Sequence, residues 1–183
     1  MREIEIKLKV NNFDELENNL KNKDVILSEP FTQHDFIYSL NNSTKEFESP
    51  EENNVIIRLR YLSDRTILTL KKQRSRESDN LEYETEIKDS DQMNHILSTL
   101  GWNPIIEIKK IRRKGKLGIY EICLDQVEKL GDFVEIETLT DDNANPEEAR
   151  EQLFKELEML GLSRSDEETR GYDTQMYNLG LMN

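Results

Sequence analysis

The sequence predicts an α+β fold built on a mainly antiparallel sheet. Three observations carry this reading. Short segments alternate strictly between apolar and polar residues, which is the period of a half-buried strand. The links between them are too short for the crossover helices that parallel strands need. The few helical segments are amphipathic and carry their own caps.

Residues 2–10 read as a strand with Ile4, Ile6, Leu8 and Val10 on one face and Glu3, Glu5, Lys7 and Lys9 on the other. Asn11 or Asn12 caps a helix carrying Phe13, Leu16 and Leu20. Strands are expected at about 24–29 and 33–40, then an exposed loop over 41–54 that contains Pro50. Residues 55–61 turn at Ser63-Asp64 into 66–71, and a charged loop from Gln73 to Asn80 leads to a strand at 81–87. Ser90 caps a helix with Met93, Ile96, Leu97 and Leu100 inward, ended by Gly101 at its C′ position. Asn103-Pro104 restarts extended chain, and 105–113 with 117–125 form a hairpin around Lys114-Gly115-Lys116. Gly131 precedes a strand at 132–139. Asn145-Pro146-Glu147-Glu148 is a helix start, with a cap, proline at N1 and acids in the first turn. That helix presents Ala149, Leu153, Leu157 and Leu160 and stops at Gly161, and the tail from Thr169 is helical around Tyr172 and Met176. The count is about eight strands and three or four helices in a single domain over residues 1–183, without a repeat of fixed period.

Composition narrows the function. The net charge of −13 argues against general affinity for nucleic acid, whose phosphates it repels. No apolar run approaches the ~18 residues that span a bilayer, and no leader peptide is visible. Cys123 is the only cysteine, so no intramolecular disulfide forms and a cytoplasmic setting is expected. The expected partner is therefore a small molecule rather than nucleic acid or membrane. The oligomeric state, with a homodimer among the options, stays open.

Parity sorts the charges. Glu3, Glu5 and Lys7 share a face, as do Arg58 and Arg60, Thr69 and Lys71, Lys110 and Arg112, and Glu135 and Glu137. Asp125 falls with Cys123 and Glu121, and Glu82, Glu84 and Glu86 form one acidic face. An antiparallel sheet with one wet face gives such alternation anywhere. Here, however, the charged faces are unusually pure in type, with paired carboxylates on some strands and paired cations on others. If the sheet closes, these faces converge and need a counter-ligand. A polyphosphate would neutralise the cations and Mg²⁺ or Mn²⁺ the carboxylates. Other candidates read as structural: His34 and His95 lie far apart, Cys123 has no Cys or His partner spacing, and Lys114-Gly115-Lys116 lacks the strand–loop–helix context of a phosphate loop.

Glu3-Ile4-Glu5-Ile6-Lys7, followed in order by Arg58-Leu59-Arg60, Leu68-Thr69-Leu70-Lys71, Lys110-Ile111-Arg112, Asp125 and Leu130-Gly131-Asp132-Phe133-Val134-Glu135-Ile136-Glu137, resembles the CYTH, or triphosphate tunnel metalloenzyme, superfamily. Length, the Gly131-Asp132-Phe133 block and Thr169-Arg170-Gly171-Tyr172 look most like the class IV adenylyl cyclase branch. The resemblance implies a closed eight-stranded antiparallel β-barrel with helices packed outside. It implies a divalent-metal shell of Glu3, Glu5, Asp125, Glu135 and Glu137. It also implies a triphosphate cradle of Lys7, Arg58, Arg60, Lys71, Lys110 and Arg112, with Arg170 reaching a tunnel mouth. Glu3, Glu5, Lys7, Lys71 and Glu135 are the implied catalytic set; Glu84 is a further acidic candidate, with Glu82 and Glu86 as register alternatives. The implied reaction is cyclisation of ATP with Mg²⁺ or Mn²⁺, the alternatives being a triphosphatase or a polyphosphate-binding module without turnover. Ile37 replaces the first aromatic of the family's Asp-x-Tyr-Tyr pattern, and Gly171 stands where serine is common; both bear on the organic part of the substrate.

Overall fold

The computed structural model describes residues 2–48, 52–141 and 143–181, so Pro50 lies outside the described residues. Among the described residues, eight strands and five α-helices make an α+β fold. In order they are β1 (Arg2–Lys9), α1 (Phe13–Lys21), β2 (Phe31–Leu40), α2 (Lys45–Glu48), β3 (Val55–Tyr61), β4 (Thr66–Arg76), β5 (Asp79–Ile87) and α3 (Ser90–Thr99). They continue with β6 (Trp102–Leu117), β7 (Tyr120–Val127), β8 (Gly131–Thr140), α4 (Pro146–Met159) and α5 (Tyr172–Leu181). The chain divides into two compact units: residues 1–31 with 110–169, and 32–109 with 170–183. The long β6 contributes its second half to the first unit and its first half to the second.

The first unit pairs β1 with β8, β8 with β7, and β7 with β6, each antiparallel. Its core follows from alternation. Ile4, Ile6 and Leu8 of β1, Ile122 and Leu124 of β7, and Val134 and Ile136 of β8 all point one way. They pack against Leu16 and Leu20 of α1 and Leu153, Phe154, Leu157 and Leu160 of α4. Both helices start as expected: the Asn12 side chain accepts from the Glu15 N–H, and that of Asn145 from the Glu147 N–H. Gly161, at φ +83°, ends α4.

The second unit pairs β5 with β4, β4 with β3, and β3 with β2, again antiparallel. Its apolar cover is thinner. Among the described residues, Tyr38, Leu59 and Leu97 form one buried cluster, with Phe36, Ile57, Tyr61, Leu68, Met93 and Trp102 partly buried around it. On the faces opposite the charges, Ile4, Ile6, Val134 and Ile136 are fully covered, whereas Leu70 is only half-buried.

Several sequence expectations change. Residues 24–29 form no strand: Asp24 turns the chain at φ +57°, and the Ser28 N–H donates to the Lys114 carbonyl at 2.7 Å. This segment lies so close over Gly115 that a Cβ there would come within 2.9 Å of Val25 Cγ1, so Gly115 serves close packing within β6 rather than a turn. The hairpin turns instead at Gly118 (φ +62°) and Ile119, between the Leu117–Tyr120 pair. The charged segment 73–80 is mostly strand, because β4 and β5 extend past a register shift between Gln73 and Arg76. Asp89, not Ser90, caps α3, and only Leu97 of that helix is buried; Ile96 and Leu100 are exposed. The loop over 41–54 contains the short helix α2, whose Phe47 ring contacts Tyr177 of α5. Among the described residues, no helix is long and apolar enough to cross a membrane.

Candidate functional site

In the first unit the face opposite the apolar core is built from ladder rows. Glu5 is the register partner of Glu137, and Glu137 of Glu121. One row further, Lys7 faces Glu135, which faces Cys123, which faces Lys114. In the next row Phe133 faces Asp125 and Asp125 faces Arg112. An acid-rich row therefore adjoins two rows that carry the cations.

Carboxylate oxygens of Glu3, Glu5 and Glu137 lie within 4.8 Å of one another. Burial, followed by the charges of Glu5, Glu121 and Glu135, pushes the Glu137 carboxyl up to about 7. Three hard oxygen donors at this spacing, one of them reluctant to ionise without a counter-charge, fit Mg²⁺ or Mn²⁺.

Beside this cluster, Asp125 is fully buried and accepts from Lys110 Nζ at 2.8 Å and Arg112 Nε at 2.6 Å. Arg112 also contacts Glu135. Burial alone would raise the Asp125 pKa, but Lys110 and Arg112 hold it below the usual carboxylate range. Burial would likewise lower Arg112, yet Glu135 and Asp125 keep it well above its ordinary value. This is a charged interior held by mutual pairing. Cys123 is buried within it, and burial pushes its thiol up to about 12, which removes it as a nucleophile.

The second unit carries a separate set. Asp35 accepts from Arg60 Nε and Nη2 at 2.8 and 2.7 Å, a bidentate pair. Glu82 bridges Arg58 at 3.1 Å and Lys71 at 3.2 Å. Arg58 also donates to Thr69 Oγ1 and to Glu84, and Thr69 donates to Glu84 at 2.8 Å. The register explains this arrangement, since Arg58, Thr69 and Glu84 form one ladder row and Lys71 and Glu82 fall in the next.

The CYTH domain family model matches residues 1–172. The chain belongs to the CYTH family. Adenylate cyclase CyaB of Aeromonas hydrophila is 38% identical to this CYTH chain over 88 residues, 48% of the chain and 46% of the relative. The chain thus spans about half the length of that relative. A solved structure of a Pyrococcus horikoshii OT3 protein matches with a TM-score of 0.79 at 29% identity, covering 98% of this chain and 99% of that one. HpAC1 of Hippeastrum, an adenylyl cyclase candidate described as having a dominant triphosphatase activity, shares the fold at TM-score 0.62 and 18% identity, covering 93% and 90%.

Within this CYTH chain, the expected residues fall into two groups. Glu3, Glu5, Lys7, Lys110, Arg112, Asp125, Glu135 and Glu137 lie in the first unit, and Arg58, Arg60, Lys71, Glu84 and Arg170 in the second. Of the five expected metal-shell residues, Glu3, Glu5 and Glu137 cluster, while Asp125 and Glu135 are engaged by cations. Arg170 is exposed just ahead of α5, its carbonyl accepting from Gln175 Nε2. Glu82 is more deeply engaged than Glu84, with its side chain 11% exposed against 48%. Two contributors were not expected: Asp35 as the anchor of Arg60, and the buried Arg150 of α4, which donates to the Glu5 carbonyl at 3.3 Å and pairs with Glu167. The β2–β3 register, which no single strand reveals, brings Asp35 to Arg60, and nothing in the helical pattern marked Arg150.

Proposed function

We propose that the chain is a divalent-metal-dependent enzyme acting on a triphosphate, with cyclisation of ATP to cyclic AMP and pyrophosphate as its reaction. The observation that carries this reading is the Glu3–Glu5–Glu137 cluster one ladder row from Lys7 and two from Arg112. Adjacent sets of opposite sign suit a ligand that brings anions and a cation together.

Glu3, Glu5 and Glu137 would hold the metal. Bound there, Mg²⁺ or Mn²⁺ supplies positive charge for phosphoryl oxygens and for the departing pyrophosphate. In the first unit Lys7, Lys110 and Arg112 suit phosphate oxygens, and in the second Arg58, Arg60 and Lys71 do. The buried pairs Arg112–Asp125 and Arg60–Asp35 fix the guanidinium planes before substrate arrives, so little reorganisation remains at reaction. Phosphoryl transfer needs positioning and charge more than a protein nucleophile, consistent with the inert Cys123.

CyaB's name supports the cyclase reaction. The triphosphatase activity described for HpAC1 supports a second reading, in which water attacks the terminal phosphorus. Purified protein incubated with ATP, thiamine triphosphate and tripolyphosphate, with Mg²⁺ or Mn²⁺, separates these. Cyclic AMP with pyrophosphate supports the cyclase, orthophosphate the triphosphatase. Binding without products leaves only a polyphosphate-binding module.

A further inference from the structure

The second unit has one ladder row of different chemistry. Gln73 is the register partner of Asn80, its N–H donates to the Asn54 carbonyl at 2.9 Å, and its own carbonyl accepts from Asn53 at 2.8 Å. Asn53 has φ +73°, so the chain bulges there and resumes regular pairing at Val55 and Lys72. Asn54, Gln73 and Asn80 thus occupy one row, and alternation gives them the face of Arg58, Lys71 and Glu82. Three carboxamides adjoin the row of Lys71 and Glu82.

Two further observations mark this row. Gln73 and Asn80 are buried, and Asn54 Nδ2 is enclosed without a hydrogen-bond partner among the described residues. A buried amide N–H without an acceptor is costly, and such groups are rare unless something else supplies the acceptor. The same end is also fastened. Asn80 Nδ2 donates to the Glu77 carbonyl at 2.6 Å, while the Glu77 carboxylate accepts from the Gly171 N–H at 2.6 Å and Thr174 Oγ1 at 2.9 Å. The start of α5 therefore packs against the hairpin that carries the row.

We propose that Asn54, Gln73 and Asn80 form a subsite for the nitrogenous heteroaromatic base of a nucleoside triphosphate, next to the cations that hold its phosphates. The assignment rests on the triphosphate reading and adds the residues that read the base. Neutral amides compete poorly for phosphate, where charged donors are stronger. They match a base edge well, because each carboxamide offers both donor and acceptor. Asn54 donates to a ring nitrogen or carbonyl of the base. Asn80, held by Glu77, keeps the row in register.

The test compares two probes, ATP and inorganic tripolyphosphate, the second having no base. Calorimetric titration of Asn54→Ala and Gln73→Met, each first checked for a wild-type melting transition, reads the effect. Each variant loses about five- to tenfold in ATP affinity, the size of one hydrogen bond, while tripolyphosphate affinity stays within about twofold. Unchanged ATP affinity, or equal loss for both probes, overturns the subsite and leaves the triphosphate reading standing. Wild-type protein that binds neither probe overturns both. If Asn54→Ala does not fold, Gln73→Met decides alone.

Discussion

Glu5 and Glu137 face each other directly across the β1–β8 pairing, with carboxylate oxygens in one cluster. Like charges opposite one another destabilise a sheet, so this pair is a cost the apo fold carries. Relieving it should raise stability and harm cation binding together. Glu137→Gln is expected to stabilise the metal-free protein by about 1–2 kcal/mol and to weaken Mn²⁺ binding by tenfold or more. Urea unfolding and Mn²⁺ titration check the two signs. A variant both less stable and unchanged in Mn²⁺ affinity would remove the metal role.

The same carboxyl gives a pH dependence. Glu137 keeps its proton up to about 7 when folded, against an ordinary value of 4.5. Between these values the folded state binds more protons than the unfolded state, so stability falls as pH rises. This contribution is present below about 4.5 and lost by about 7. Urea midpoints of metal-free wild type should therefore drop relative to Glu137→Gln across this window, and saturating Mn²⁺ should flatten the difference. Parallel curves for the two proteins would contradict the assignment.

Cations of the two units should behave differently on removal. Arg112→Ala removes the guanidinium that buried Asp125 and Glu135 share and is expected to destabilise by about 3–5 kcal/mol. Lys71 is 24% exposed in its side chain, so Lys71→Ala should cost little stability. It should still weaken tripolyphosphate binding by roughly 1.5–3 kcal/mol, and monophosphate binding far less. Thermal melts and competitive titrations separate the effects; equal losses for both phosphates would indicate a general cationic surface patch.

Cys123 offers a probe of folding. Its thiol is buried and pushed up to about 12. Native protein at pH 8 should react with a disulfide reagent only at the rate of unfolding, and denatured protein within seconds. Rapid native labelling would show that this interior opens without global unfolding.

The alternation of Glu3-Ile4-Glu5-Ile6-Lys7 is local, because the pleat sends neighbouring side chains to opposite faces whatever lies across the strand. The sorting of charges by face and the caps at Asn12, Asn145 and Gly161 were therefore legible in the sequence. Residues 24–29 were not: their apolar run reads as a strand, but packing over Gly115 decided their path. Ile96 and Leu100 carried the helical period of a buried face, yet α3 buries only Leu97.

By itself the sequence determined the family, the antiparallel strand order along the chain and the face on which each charge stands. Only the tertiary structure decided who meets whom. Register places Arg112 opposite Asp125 and Glu5 opposite Glu137, so Asp125 is held by cations while Glu3, Glu5 and Glu137 gather. Asp35 meets Arg60, and Asn54 falls in line with Gln73, for the same reason. A strand's own residues fix its two faces, but its partners depend on a pairing between segments distant in the chain, and a shift of one residue would exchange every contact.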